Sequence, residues 1–283
     1  MASRLYTVGR VESFAHSTQS RYHLLITLDE QEQRSVAYHL LRQLGNEGVR
    51  AAKECAMPRV CVFDVIETML DLQALDPHFQ RIFGDAAARQ EWFQQLLQSA
   101  LVATVTNAYT DFGAVGKAAL DMIAERRGVE LGDDDRQQIL GAVRQLPAHP
   151  DVQPGLEGLC AARFRLAALT NSTEEVARTQ LNHAGLAGYF EQILSVDAVR
   201  RFKPAPEVYR MAAERLDVPT AGMRLVAAHA WDVAGALSAG CAAAFVARPG
   251  KVLDPLSQRP DVVGADVRAV AEQIVALEAD TRD

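Results

Sequence analysis

Short apolar runs and helical periodicities divide the chain into blocks, and one run stands apart at the head of the series. Val60-Cys61-Val62-Phe63 is β-branched and aromatic, ends abruptly at Asp64, and is followed four positions later by Thr68. A parallel strand covered on both faces reads as a continuous apolar run of this kind. After Asp64 the pattern turns helical up to about residue 146. Trp92, Leu96, Leu97, Leu101 and Val105 predict one face of a helix over 91–105, and further helices are predicted over 112–127, stopped by Gly128, and over 133–146. No strand-like run interrupts them, which predicts a helical cap inserted after the first strand. Pro147, Pro150 and Pro154 mark the return to another pattern.

From Phe164 onward, strands alternate with helices. A strand over 164–169 ends in Thr170-Asn171-Ser172, and Ser172 with Glu175 reads as a capping box opening a helix that runs to His183 before Gly185. Strands over 192–196, 225–228 and 242–247 and helices over 206–216 and 267–277 follow, with Lys203-Pro204 and His229-Ala230-Trp231-Asp232 between them. The alternation predicts an α/β fold built on a doubly wound parallel sheet. Residues 1–56 read differently, as an N-terminal extension. Met1 to Ser20 is polar and without period, Tyr22 to Leu28 reads as a short strand, and Val36, Leu40, Leu41 and Leu44 repeat at helical spacing after Asp29. No chemistry attaches to this segment. Met57 stands just before the first strong strand, so the extension reads as an appendage or as sequence upstream of a later start, which the mass of the native protein would decide.

Composition narrows the function classes. The chain has 283 residues, 49% hydrophobic and 23% charged, enough for a sizeable core in one large or two smaller domains. A net charge of −7 argues against non-specific nucleic-acid binding, which needs a basic surface, but leaves room for an anionic small substrate. Cys55, Cys61, Cys160 and Cys241 are scattered without metal-type spacing, and Cys61 and Cys241 lie in apolar runs as small core residues. No apolar stretch is long enough to span a membrane and the start lacks a signal-peptide run, so a cytoplasmic protein with no membrane partner is expected.

In open α/β sheets, ligands sit beyond the carboxyl ends of the strands. Four such places carry polar side chains: Asp64 with Thr68, Thr170 with Asn171, Lys203, and Asp232. Each has a structural explanation by itself. Asp64 and Asp232 fit helix or turn starts, Thr170 and Asn171 fit turn backbone, and a lone Lys203 fits a solvated surface. Their joint occurrence in chain order points to one site.

That arrangement resembles the haloacid dehalogenase-like hydrolase superfamily over roughly residues 58–277, with all four of its motifs present. Within it the chain looks most like the L-2-haloacid dehalogenases. The residues carrying this are Phe63-Asp64 with Thr68, Thr170-Asn171, Leu194-Ser195-Val196-Asp197 before Lys203-Pro204, Tyr209, and Ala230-Trp231-Asp232. The resemblance implies a Rossmann-like core (57–71 and 147–283) with a helical cap (72–146). It also implies the class of hydrolase that acts on carbon–halide bonds, with no cofactor and no metal. Magnesium-dependent phosphatases of the superfamily carry an acid two residues after the nucleophile and another four residues before the position of Asp232. Here these are Ile66 and Ala228. A halide, unlike an alkoxide, leaves without a proton, so the substitutions favour a dehalogenase. A phosphatase of small phosphoesters and a non-catalytic binding protein are the alternatives.

The resemblance further implies roles. Asp64 is the nucleophile, Lys203 keeps it ionised, and Asp232 activates water. Thr68, Thr170 and Asn171 donate to the substrate carboxylate or the ester, Tyr209 supports the Lys203 side, and Trp231 walls the pocket unless it is plain core. The substrate class is the short 2-haloacids, with fluoroacetate included, and dimers are common among related enzymes, so a homodimer is an expectation. Three departures bear on the pocket. Phe93 follows Trp92 where the family presents a halide-binding arginine, Ile66-Glu67 replaces Tyr-Gly, and Ala227-Ala228-His229 replaces a Ser- and Asn-bearing stretch. His229 is placed either to donate to substrate or halide, or to cap the following helix.

Overall fold

The structure, a computed structural model, describes residues 60–279. Their strands are β1 (Val60–Phe63), β2 (Arg165–Thr170), β3 (Gln192–Ser195), β4 (Met223–Ala227), β5 (Ala242–Val246) and β6 (Val262–Gly264). They pair in the order β3-β2-β1-β4-β5-β6, every pair parallel. All four residues of β1 are buried, because β2 and β4 flank it and the layers above and below cover it. The chain runs from β1 outward to β3 on one side and then returns to start β4 on the other. The switch point of the sheet therefore lies between β1 and β4, where a doubly wound fold opens its ligand crevice.

Four helices follow β1 as an insert before the chain returns to the sheet: α1 (Asp76–Phe83), α2 (Ala88–Val105), α3 (Phe112–Arg127) and α4 (Asp133–Val143). Asp111 caps α3 by accepting from the Ala114 N–H at 2.9 Å, and Gly128 ends it in the left-handed region at φ +64°. The pair α2–α3 is closed by an indole N–H bond from Trp92 to the Gly116 carbonyl at 2.9 Å. The remaining helices are α5 (Val152–Ala161), α6 (Glu174–His183), α7 (Pro206–Leu216), α8 (Ala230–Ser238) and α9 (Val267–Ala279). Pro206 opens α7, where the missing N–H costs no intrahelical bond.

Several boundaries differ from the sequence expectation, each for a local reason. The buried ridge of α2 is Ala88, Trp92, Leu96, Ala100 and Thr104, whereas Leu101 and Val105 are exposed. At 3.6 residues per turn Leu101 lies half a turn around the helix from Trp92, so the expected stripe mixes two faces. The α6 N-cap is Thr173, whose hydroxyl accepts from the Val176 N–H at 3.3 Å, not Ser172. Ser172 is occupied by the strand-end turn, its N–H on Thr170 Oγ1 at 3.1 Å and its carbonyl on the Ser195 hydroxyl at 2.7 Å. Helix α5 escaped notice because Pro154 reads as a breaker, yet it sits in the first turn, where proline is tolerated. Strand β6 is a three-residue edge strand, too short to show a period. The strand and helix expected within 22–44 lie outside the described residues. Cys61 and Cys241 are buried, as expected. Among the described residues no helix is long and apolar enough to cross a membrane.

The insert grips the core next to Lys203. Thr104 Oγ1 accepts from the Phe202 N–H at 3.0 Å, and the Phe202 ring packs against Tyr109 and Phe112 with centroids 4.9 and 5.7 Å away. Tyr109 also hydrogen-bonds Asp197 on the loop after β3. The loop that carries Lys203 is thus fixed from the insert as well as from the sheet.

Candidate active site

Sheet pairing runs one residue beyond β1, because the Asp64 N–H still donates to the Val226 carbonyl at 3.0 Å. This anchors the Asp64 carboxylate at the switch point. Its Oδ1 accepts from Lys203 Nζ at 2.7 Å, and its Oδ2 from the Thr68 hydroxyl at 2.6 Å and from a His229 ring N–H (Nδ1) at 3.2 Å. Thr68 Oγ1 accepts in turn from the Ala228 N–H at 2.9 Å, which ties the loop after β1 to the loop after β4. Arg248 holds the same loop, donating to the Thr68 carbonyl at 2.8 Å while paired with Asp151 at 2.7 Å.

Lys203 is not a solvated surface lysine, since it is only 2% exposed. An ammonium has three donors, and all three are used: Asp64, Asp232 Oδ2 at 2.6 Å and the Leu169 carbonyl at 3.0 Å. Its backbone N–H is held by Asn171 Oδ1 at 2.9 Å. Asp232, in the first turn of α8 and fully buried, gives Oδ1 to the Tyr209 hydroxyl at 2.6 Å. Tyr209 therefore sits behind Asp232, not at Lys203 or in the pocket.

Gly235, one turn along α8, lets Tyr209 and the Lys203 loop approach. A Cβ there would lie 2.4 Å from Pro204 Cβ and 2.6 Å from the Tyr209 hydroxyl. Gly235→Ala is expected to destabilise the fold by about 1–3 kcal/mol, as overpacked cores do. A urea midpoint unchanged from wild type would contradict this packing.

Charge is balanced within this cluster, and the balance separates the two carboxyl groups. Burial alone would push Asp64 up, but Lys203 and His229 outweigh it and hold the carboxyl well below the usual range. Burial also pushes Asp232 up. There the adjacent Asp64 charge adds to burial, and Lys203 and Tyr209 offset it only in part, so its pKa is raised. Burial disfavours the charged forms of Lys203 and His229, yet their carboxylate partners raise both.

His229 takes the N-cap position of α8 but makes no side-chain cap bond. Its ring nitrogens instead face Asp64 and Glu67, with Nε2 3.0 Å from Glu67 Oε2. Glu67 is joined to Lys251 Nζ at 2.6 Å and has φ +63°. A side chain in the left-handed region costs about 1–2 kcal/mol.

A small cavity opens above Asp64. The core supplies Asp64, Ile66, Thr170, Asn171, His229 and Trp231 to its wall, and the insert supplies Phe93, Leu97 and Phe112. Trp231 is thus a half-buried pocket residue, its ring 5.0 Å from that of His229, and the His229 ring in turn lies 6.1 Å from that of Phe93. All the residues singled out in the sequence meet in one place: Asp64, Thr68, Lys203, Asp232, Tyr209 and His229 in the polar network, and Ile66, Phe93, Thr170, Asn171 and Trp231 around the cavity. Arg248 and Lys251 escaped the sequence reading, because nothing local distinguishes them from solvated cations. Among the described residues, no group of three or more His, Cys, Asp or Glu side chains is arranged to hold a metal ion.

A buried carboxylate paired with a lysine at the switch point of such a sheet, under a helical insert, defines a class. Residues 58–240 match the haloacid dehalogenase-like hydrolase family, and the chain belongs to it. Within that family it sides with the (S)-2-haloacid dehalogenases by sequence and by structure. (S)-2-haloacid dehalogenase 1 of Pseudomonas sp. (strain CBS-3) is 36% identical over 180 residues, which cover 63% of this chain and 79% of the relative. The solved L-2-haloacid dehalogenase of Xanthobacter autotrophicus is 26% identical with a TM-score of 0.73, covering 77% of this chain and 98% of that one. The structure of the same enzyme with chloropropionic acid covalently bound is 25% identical with a TM-score of 0.72 over the same shares.

Proposed function

We propose that this protein hydrolyses short (S)-2-haloalkanoic acids to 2-hydroxy acids through an ester on Asp64, without a metal ion. The observation that carries the reading is Lys203 Nζ bridging Asp64 and Asp232 at 2.7 and 2.6 Å in a site whose position 66 is an isoleucine. A phosphoester's leaving oxygen needs a proton donor there, and Ile66 has none. A halide does not.

In the first half-reaction an Asp64 oxygen attacks the halogen-bearing carbon. A carbon–oxygen bond forms, the carbon–halogen bond breaks, and the halide departs with the electron pair. Lys203, Thr68 and His229 keep Asp64 ionised and oriented before the attack. In the second half-reaction water gives a proton to Asp232 and attacks the Asp64 carboxyl carbon. The bond from that carbon to the product oxygen then breaks, the Asp64 carboxylate is restored, and the leaving oxygen takes the proton back from Asp232 and departs as the 2-hydroxy acid. Carboxyl groups whose environments push their pKa values apart divide such roles: the depressed Asp64 acts as nucleophile and the raised Asp232 as base. Thr170 and Asn171 face the substrate carboxylate, and Phe93, Ile66 and Trp231 wall the short alkyl chain and the halide. The covalently bound chloropropionic acid in the Xanthobacter relative supports an ester intermediate. The cavity over Asp64 is small and walled by Phe93, Leu97, Phe112 and Trp231, which favours short acids over bulky ones. The cap is read as a domain over 72–146.

Halide release from 2-chloropropionate, 2-bromopropionate and fluoroacetate tests the proposal. Release is expected to persist in EDTA and to vanish in Asp64→Asn, whose carboxamide cannot form the ester. No halide from any short haloacid, or turnover of a phosphoester that EDTA abolishes, would defeat it.

A further inference from the structure

His229 stands between two carboxylates. Its Nδ1 is 3.2 Å from Asp64 Oδ2 and its Nε2 is 3.0 Å from Glu67 Oε2. A neutral imidazole can donate from only one nitrogen, so satisfying both carboxylates requires both nitrogens to be protonated. The ring is buried against Phe93 and Trp231 and forms part of the cavity wall over Asp64. Glu67 is held on its other side by Lys251, which is 27% exposed at the rim of a larger groove leading to the same place. The backbone at Glu67 is left-handed, a conformation glycine adopts freely. A glutamate is kept there despite that strain.

We propose that Glu67, anchored by Lys251, is a positioning residue that holds His229 as an imidazolium against the cavity, so that this ring supplies the positive charge for the departing halide that a guanidinium would otherwise supply. The identity of the anion rests on the dehalogenase reading, whereas the geometry of the Glu67–His229 pair does not.

The turnover cycle shows why Asp64 alone would not suffice. When the carbon–halogen bond breaks, the Asp64 carboxylate becomes a neutral ester, and the negative charge passes to the halide. At that moment His229 loses one of its two carboxylate partners. Glu67 does not react, so the imidazolium keeps an anionic partner through the ester stage and faces the halide with its charge intact. The other groups near the ring are consistent with this. Lys203 reaches it through Asp64, Asp232 on its own helix is engaged by Lys203 and Tyr209, α2 packs the uncharged Phe93 against it, and the arginines of the adjoining groove, Arg89 and Arg248, are paired with Asp76 and Asp151. Burial lowers the affinity of His229 for the second proton and the two carboxylates more than restore it. For Glu67, burial is outweighed by His229 and Lys251, and its carboxyl stays ionised.

The test follows the His229 ring by NMR titration alongside the pH profile of kcat/KM for 2-chloropropionate and inhibition by bromide, in wild type, Glu67→Gln and Glu67→Gly. Removing one adjacent carboxylate is expected to lower the His229 midpoint by about 1–3 pH units. The alkaline limb of kcat/KM should move down with it, and bromide should inhibit more weakly above the new midpoint. Glu67→Gly relieves the left-handed strain and guards against a folding defect, and it should show the same three changes. A residue that merely braces the loop would shift stability and leave all three unmoved. An unchanged midpoint in both variants overturns the proposal, as does a shifted midpoint with the alkaline limb and bromide inhibition where wild type has them. If wild type releases no halide from any haloacid, the dehalogenase reading fails. The His229 midpoint and its response to bromide in wild type and Glu67→Gln then still decide the role of Glu67.

Discussion

Asp232→Asn protein mixed with excess 2-chloropropionate is expected to release one equivalent of chloride per active site and then all but stop. In the proposed mechanism the two half-reactions draw on different groups, and this variant separates them. Ester formation needs Asp64 ionised and oriented, and Lys203, Thr68 and His229 remain on it at 2.7, 2.6 and 3.2 Å. Hydrolysis needs a proton acceptor for water, and Asp232 is the buried carboxylate whose raised pKa suits it. An asparagine keeps the shape and an oxygen for Lys203 but cannot take the proton. Loss of a general base is commonly worth about 10²–10⁴-fold, so the ester should accumulate. Rapid-quench halide measurement gives the burst, and intact-protein mass gives the adduct on Asp64. Steady turnover at the wild-type rate would show that water is activated elsewhere. Complete absence of the burst would show that Asp232 is needed for the displacement itself.

Lys203→Met is expected to damage both stability and activity. The variant leaves Asp64 and Asp232 buried beside one another with their shared cation gone. Breaking a buried ion pair from one side costs about 3–5 kcal/mol. Activity should fall by on the order of 10²–10³ or more, the scale of losing one well-placed electrostatic group. The pH dependence of stability should also reverse. In wild type Asp64 is depressed below its unfolded value, so its contribution is present above the unfolded pKa of about 3.9 and is lost as pH falls through the folded one. Without Lys203, burial and mutual repulsion raise the folded pKa of the pair above the unfolded value. The variant is then best accommodated with a proton bound, and that contribution is lost as pH rises through the raised folded pKa. Urea unfolding on the acidic and alkaline sides of neutrality checks this. A deficit that stays constant with pH would mean that the two carboxyl groups do not interact as the geometry requires.

Much of the fold was legible because its signals are local. The all-apolar β1, the periodicity of α3 and the Pro206 start of α7 each depend on a few neighbouring residues, and their bounds were expected closely. Elements failed where local signals conflicted or ran out. Pro154 masked α5, three residues were too few to announce β6, and Leu101 and Val105 kept a helical spacing without sharing the buried face of α2. The site was legible residue by residue because each polar group ends a strand or opens a helix. Its wiring was not. Asp64 and Lys203 are 139 positions apart, and no local pattern distinguishes a lysine that spends all three donors inside the protein from one in water.

The sequence by itself determined that a parallel α/β sheet carries a helical insert after its first strand. It also determined that Asp64, Lys203 and Asp232 end strands or follow them in loops and helix starts, which side-chain chemistry and short-range period display in order. The family resemblance it carries implies that Ile66 stands where a phosphatase would have an acid. Only the tertiary structure decided that Tyr209 serves Asp232, that His229 faces Asp64 instead of capping α8, and that Glu67 and Lys251 stand behind it. The reason is that β1 and β4 are neighbours in the sheet while far apart in the chain. The loops that follow them converge at the switch point, and the contacts made there carry no trace in the residues on either side.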